Sequence, residues 1–546
     1  FTAENPFGGP GSPVGGLTNC PVTSATAAAN CYGVGQMGTS PSNGSNAVMA
    51  QIGMDLPWFK SSRFVSTFQY NKMTQNEAFI PMTINQLGLN GNYAITGGTV
   101  ALASVPRGSL HGEIDTLLTN NVLTTNINST LKNKLSYRYY SNTNNTPAMT
   151  LTNWIVNDAA IAAGTGSVGG GSYSPHTTLF SSYKKQNAAD ELVWSPAGWA
   201  TIGANSAWEQ YRYSQYAANI TNEYKEKLFG QFKLGEWGNL RLDGSFSTRR
   251  YNSYNWQSFV GNIMLAGTPG TGFVENPYLR QYNIANRNRN TGNIYLDITT
   301  PISGLTLTPT AGYRWDDYPA DKTLLASGNA QLGLKSDHNL NLGLEADWQI
   351  NSRVSLMGSY TFERIMQNMI GTSTSSTAPA SLTMYNSKTS ENVHTLMAAA
   401  TFQIIPDQLV LKLSATHELA TDNQVTGPMP GCQAINNAGT GCGIVSPGNP
   451  AFPATNTHFD RLDAKLSYKI DNQTFLRQFG LSDAFLQLHY QYERNHVTNW
   501  QSSGMSPYMY STLNSSTTAF RDMIFMAGTN PNYNAQAVMA SIVFKW

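Results

Sequence analysis

No stretch of this 546-residue sequence approaches the roughly 18 consecutive apolar residues that a membrane-spanning helix needs, so helical membrane topology is excluded. Charge is also scarce. Asp, Glu, Lys and Arg make up 12% of the chain, low for a soluble surface, and the net charge is +1. Lys and Arg are scattered rather than clustered, which excludes the basic patch of a nucleic-acid partner. The four cysteines, Cys20, Cys31, Cys432 and Cys442, form neither CxxC nor CxxCH, so the chain carries no covalent haem site of its own. The eight histidines form no HxxxH or HExxH, and no Ser/His/Asp arrangement stands out. No catalytic, cofactor or metal residue is assigned, and no enzyme activity is expected. No basic segment followed by an apolar one appears near Phe1, so any signal peptide is expected to be already removed.

What is present is period-two alternation. Leu340, Leu342, Leu344, Ala346, Trp348 and Ile350 share one face, with Asn341, Gly343, Glu345, Asp347 and Gln349 opposite. Successive strand residues point to opposite sides, so this is a strand with an apolar and a polar face. The pattern returns at Leu240/Leu242/Phe246 against Arg241/Asp243/Ser245, and at Leu409/Leu411/Leu413 against Lys412/Ser414. It returns again at Leu462/Ala464/Leu466 against Asp463/Lys465, and at Leu486/Leu488/Tyr490 against Gln487/His489/Gln491/Glu493. Short linkers (235–238, 301–304, 351–353, 406–408) take turns with long Asn/Ser/Thr/Gly-rich ones (141–210, 250–280, 365–390, 423–457). Aromatics are 11% and sit near strand ends, as at Tyr137, Tyr139, Tyr313, Trp315, Trp348, Tyr490 and Tyr492. Their rings suit a membrane–water boundary.

These features predict an all-β fold: one large antiparallel transmembrane β-barrel over 1–546, with short periplasmic turns and long extracellular loops. About sixteen strands can be counted. The place is the outer membrane of a Gram-negative bacterium, with lipid as one partner. Arg241, Asp243, Glu345, Asp347, Lys412, Asp463, Lys465, Gln487, His489 and Glu493 are expected to line the lumen. The final strand, with Ile542, Phe544 and Trp546, resembles the signal read by the outer-membrane insertion machinery. Gly164-Thr165-Gly166-Ser167-Val168-Gly169 matches GxGxxG, but Gly170-Gly171-Ser172 and Pro175 follow where a helix should start. It reads as loop.

Met73 to Pro81, Asn5-Pro6-Phe7, Lys134 to Tyr140 with Asn144 to Pro147, Asp460 to Tyr468, and Tyr490 to Arg494 together resemble the MtrB/PioB family. The resemblance implies a barrel that sheathes a periplasmic multihaem c-type cytochrome, often with a second, extracellular multihaem cytochrome docked outside. Electrons then cross the outer membrane on haem c carried by the partner. Two departures accompany it. The family's barrels have more strands, with Asn-Pro-Phe well inside the chain, which implies N-terminal strands beyond this sequence. Some members also carry a CxxC that this chain lacks. The fold alone leaves three readings open: a cytochrome sheath, a diffusion porin or solute channel, and an adhesin-like barrel acting through its loops.

In an oxidising compartment the four cysteines read as two loop clasps. Peptide mapping should find Cys20–Cys31 and Cys432–Cys442, each closing a short loop worth roughly 2–3 kcal/mol. A Cys20–Cys432 link, or four free thiols, would contradict this.

Overall fold

In the computed structural model the described residues are 41–57, 61–79, 107–151, 176–178, 180–256, 278–322, 331–372, 384–428, 451–470, 476, 478, 480–500, 508–511, 522–525 and 531–545. The two cysteine pairs, the 164–169 glycine run and Trp546 lie outside them.

The strands are β1 (Gly44–Leu56), β2 (Ser62–Gln75), β3 (Gly112–Asn126), β4 (Leu131–Asn144), β5 (Thr150–Leu151), β6 (His176–Thr177) and β7 (Tyr183–Ala197). There follow β8 (Ala200–Tyr213), β9 (Ile220–Lys233), β10 (Gly238–Tyr251), β11 (Arg287–Thr299), β12 (Leu305–Asp317), β13 (Gly333–Asn351) and β14 (Val354–Thr372). The last are β15 (Met384–Ile405), β16 (Leu409–Pro428), β17 (Thr455–Lys469), β18 (Asp483–Thr498), β19 (Tyr508–Ser511), β20 (Asp522–Phe525) and β21 (Tyr533–Lys545). Seventeen of them form one sheet; β5–β6 and β19–β20 are separate two-stranded ribbons. Within the large sheet each strand pairs antiparallel with its neighbour in chain order, from β1–β2 through β4–β7 to β18–β21.

The strands are extended because most carry apolar or aromatic side chains at alternate positions, and a wide sheet lets each backbone satisfy its neighbour. Tight turns join them at one end. β11 meets β12 across Thr300–Gly304, where Gly304 takes φ +77° and a Cβ would collide with the Gln349 carbonyl. Asn351 folds the next turn by accepting from the backbone amides of Arg353 and Val354 at 2.8 and 3.0 Å. The four short linkers expected from sequence are all turns at this end.

Two expectations change. Residues 141–210 are not one long loop, because β7 and most of β8 lie inside it. The outward positions of β7 begin Lys184, Gln186, Ala188 and Asp190, so apolar alternation appears only at Leu192 and Trp194. Likewise β14, β15 and β16 run on into 365–372, 384–390 and 423–428; Asn, Gln, Ser and Thr outnumber apolar residues in the last two, and in the first the apolar residues fall as the adjacent pairs Ile365-Met366 and Met369-Ile370 instead of alternating.

Seventeen strands in antiparallel steps leave β1 and β21 running in the same direction. Both are exposed along their length, and they are not paired with each other. Closing this sheet with an antiparallel ladder therefore requires an odd number of additional strands between those two edges.

Register assigns the faces. Residues directly opposite in an antiparallel pair lie on the same side. On one side large apolar side chains are laid open: Leu228 is 68% exposed, Leu396 56%, Leu488 50% and Leu344 49%. An apolar surface of this extent belongs in lipid. On β13 this outward band runs from Trp348 through Ala346, Leu344, Leu342 and Leu340 to His338, which pairs with Trp315 of β12. The ten residue-to-residue steps at ~3.3 Å each, tilted about 40°, rise ~25 Å, the height of a barrel's apolar band. From its end onward, imidazoles appear on the outward face and are paired. His338 sits 3.1 Å from the Tyr313 hydroxyl, His394 2.8 Å from that of Tyr360, and His417 2.6 Å from Asp460.

Leu344→Arg places a cation in this band and should cost about 2–4 kcal/mol, whereas Glu345→Arg, one residue away on the other face, should assemble nearly normally. Outer-membrane yield of heat-modifiable folded protein measures both; equal yields would contradict the facing.

Candidate functional site: the inward polar wall

The second face is polar. One cross-strand row reads Glu345, Ser359, Met397, Thr416, Arg461 and Glu493. The next reads Asp347, Met357, Ala399, Ser414, Asp463 and Gln491. Lys412 faces Lys465, which faces His489, and Gln487 faces Ser467. At the other side of the sheet, Asp243 faces Asn293, which leads through Gly312 to Asn341 of β13. Arg241 leads through Tyr295 and Thr310 to Gly343. All ten residues singled out from sequence therefore share this one face. Opposite it, Ile542 pairs with Leu486, and Phe544 follows Ile542 on the outward side of the edge strand β21.

Within the wall, charge is arranged in two ways. From β8 to β13, towards the long-loop end, carboxylates and cations are matched. Arg287 chelates Glu223 at 2.9 and 3.0 Å, and Ser247 donates to the same carboxylate at 2.7 Å. Asp316, 1% exposed, accepts from Arg289 at 2.6 Å through both oxygens and from Arg314 at 2.7 Å. Arg314 also reaches Asp337 at 3.1 Å. Arg249 donates to the Ala285 and Tyr282 carbonyls, which fixes the returning loop against β10. Above this network Arg280 meets Asp321 at 3.0 Å and lies 4.2 Å over the Tyr254 ring, while Tyr251 donates to Asp321 at 2.6 Å. Ala217, Ala218 and Ile284 pack beside it as a small buried cluster. Burial raises the Tyr278 and Tyr318 hydroxyls above their ordinary range there.

From β14 to β18 the wall is less balanced. Asp463 is held by Arg461 at 2.7 Å and His489 at 3.0 Å. Lys412 and Lys465 stand directly opposite each other with no acid bridging them among the described residues. Glu391 stands opposite Asp422, also without a cation there, with Glu363 and Glu418 on the same face. No group of three or more metal-ligating side chains occurs among the described residues. His489, a sequence candidate for the wall, is a hydrogen-bond partner of Asp463.

Sequence reasoning found Glu345/Asp347 and Lys412/Lys465 but missed the arginine–carboxylate network. Its members come from four strands and meet only through register. The alternation Arg287-x-Arg289 beside Arg314-x-Asp316 is the signal that marks it.

Asp316→Asn strips the shared acid from two guanidiniums that are each about one-third exposed. It should cost about 3 kcal/mol, the low end for breaking a buried pair. Arg241→Gln, which breaks the half-exposed pair with Asp297, should cost under about 1 kcal/mol. Denaturant midpoints of the folded barrel measure both, and equal shifts would contradict the ranking.

The family model described as outer membrane beta-barrel porin, MtrB/PioB, matches residues 17–546. A comparison with curated proteins gave no match. Among solved structures, the chain is similar to the outer membrane transporter YddB from Escherichia coli, at 9% identity and a TM-score of 0.36, covering 92% of this chain and 75% of that one. It is also similar to the copper transporter OprC, at 9% identity and a TM-score of 0.42, covering 84% and 66%. A third is the ferric-catecholate import receptor Fiu from E. coli K12, at 11% identity and a TM-score of 0.37, covering 84% and 71%. With the match running over nearly its whole length, the chain belongs to the MtrB/PioB family of outer-membrane β-barrel porins.

Proposed function

We propose that this barrel is a sheath that holds a periplasmic multihaem c-type cytochrome in its lumen and lets electrons cross the outer membrane. The observation that carries the reading is the set of uncompensated like charges on the inward wall. Lys412 faces Lys465, and Glu391 faces Asp422. Like charges directly opposite are destabilising in an isolated sheet. A protein of complementary charge pattern against the wall removes that cost and gains charge-assisted hydrogen bonds. Size supports the same reading, because a lumen ringed by seventeen or more strands is too wide for side chains to fill.

The chain's own part is to shield. Its outward band meets lipid over ~25 Å, and its inward wall offers a polar surface to a soluble partner, so haems carried by that partner cross a hydrocarbon layer ~30 Å thick. Haem c enters with the partner, since the chain has no CxxCH. The long loops lie on the cell-surface side, where a second, extracellular multihaem cytochrome docks in this reading.

The test uses liposomes with a trapped reductant. The barrel alone should leak small ions. Adding the c-type cytochrome recovered with it from native outer membranes should close the leak and reduce an external acceptor. If the leak persists and no electrons pass, the barrel is a diffusion porin or solute channel, the other function the same wall serves.

A further inference from the structure

On the inward wall near the cell-surface ends of β4, β7 and β8 lies a cleft of about 460 Å³, lined by Arg138, Tyr140, Tyr183, Lys185, Tyr211 and Tyr213 among others. The size suits a small organic molecule. Register brings the lining together: Lys185 lies opposite both Tyr140 and Tyr211, and Tyr183 opposite Tyr213. The rings form two walls. Tyr211 and Tyr213 are stacked, 5.5 Å apart with planes 5° from parallel, and Tyr216 continues the stack at 4.8 Å. Tyr183 and Tyr140 make the other wall, 5.8 Å apart, with Tyr183 6.3 Å from Tyr211 and tilted 37° to it.

The charge in the cleft is positive. Lys185 is balanced by Glu209 at 2.8 Å and lies 4.7 Å over the Tyr211 ring. Arg138 lines the same cleft, directly opposite Asn187, with no hydrogen-bond or ion-pair partner among the described residues. Arginines elsewhere on the wall, such as Arg287, Arg289 and Arg314, are held by carboxylates. A planar guanidinium presents a fork that matches a carboxylate, and tyrosine faces favour a flat ring laid against them.

We infer that the tyrosine-walled cleft at Arg138 binds a planar aromatic carboxylate, its ring against the Tyr183 face and its carboxylate on Arg138. The site is independent of the sheath reading, since a porin with the same strands would carry it too.

The probe is 2-naphthoate, titrated calorimetrically into the full chain folded in zwitterionic detergent, with empty micelles subtracted. Saturable one-site binding is expected. Arg138→Gln and Tyr183→Leu should each weaken it about tenfold or more, and Tyr139→Leu, on the outward face of the same strand, should leave it unchanged. Heat-modifiable mobility of each variant establishes that the barrel has folded. Three results overturn the inference: no saturable binding to the parent chain, affinity unchanged by both Arg138→Gln and Tyr183→Leu, or glucuronate binding as tightly as 2-naphthoate. The last outcome would mark a sugar-acid site.

Discussion

Every backbone amide and carbonyl that enters hydrocarbon must find its partner within the protein. Here the partner is always the next strand. That constraint fixes sequential antiparallel pairing from β1 to β21, and it also fixes which side chains share a face. Once Leu344 is set towards lipid, Glu345 is set inward, and the ladder carries the choice across the sheet to Glu493 on β18 and Asp243 on β10. The same constraint makes the outer edges of β1 and β21, which have no partner among the described residues, significant. Because β1 and β21 run in one direction, their open ladders are complementary to an odd number of further strands rather than to each other.

The outward face solves the problem of lipid with aliphatic side chains bounded by rings, from Trp348 to Trp315. The inward face has a different task. Between β8 and β13 its carboxylates are held within the sheet: Asp316 accepts from the Arg289 and Arg314 guanidiniums, and Glu223 from Arg287 and the Ser247 hydroxyl. Between β14 and β18 it leaves the Lys412–Lys465 and Glu391–Asp422 pairs to be answered by something else. This division separates a part of the wall whose carboxylates are answered within the sheet from the part on which the proposed partner would rest.

Much of this was legible in the sequence where lipid contact forces strong alternation. Leu340 to Ile350 reads as a strand, faces included, and so do Leu462 to Ile470 and Leu486 to Tyr492. Legibility fails where outward residues are small or polar. In β8 the outward row is Ile202, Ala204, Ser206 and Trp208, and in β7 it begins with Lys184 and Gln186, so two strands passed for loop. The ten wall residues could be named because each sits on a clearly alternating strand. The Asp316 network and the tyrosine cleft could not, since both are assembled across strands by register. Tyr183-x-Lys185 and Tyr211-x-Tyr213 show the right spacing for one face but not that the two segments are neighbours.

The central claim is that one face of this sheet meets lipid and the other meets a protein in the lumen. A nitroxide scan along Leu340–Ile350 tests it most directly, with the barrel in bilayers and the copurified cytochrome absent or present. Oxygen accessibility should peak at even positions and that of a water-soluble nickel chelate at odd ones. Loading the cytochrome should abolish nickel accessibility and immobilise the labels at odd positions alone. Loss of the two-residue period, or odd positions that stay wet and mobile with the cytochrome bound, would contradict the account.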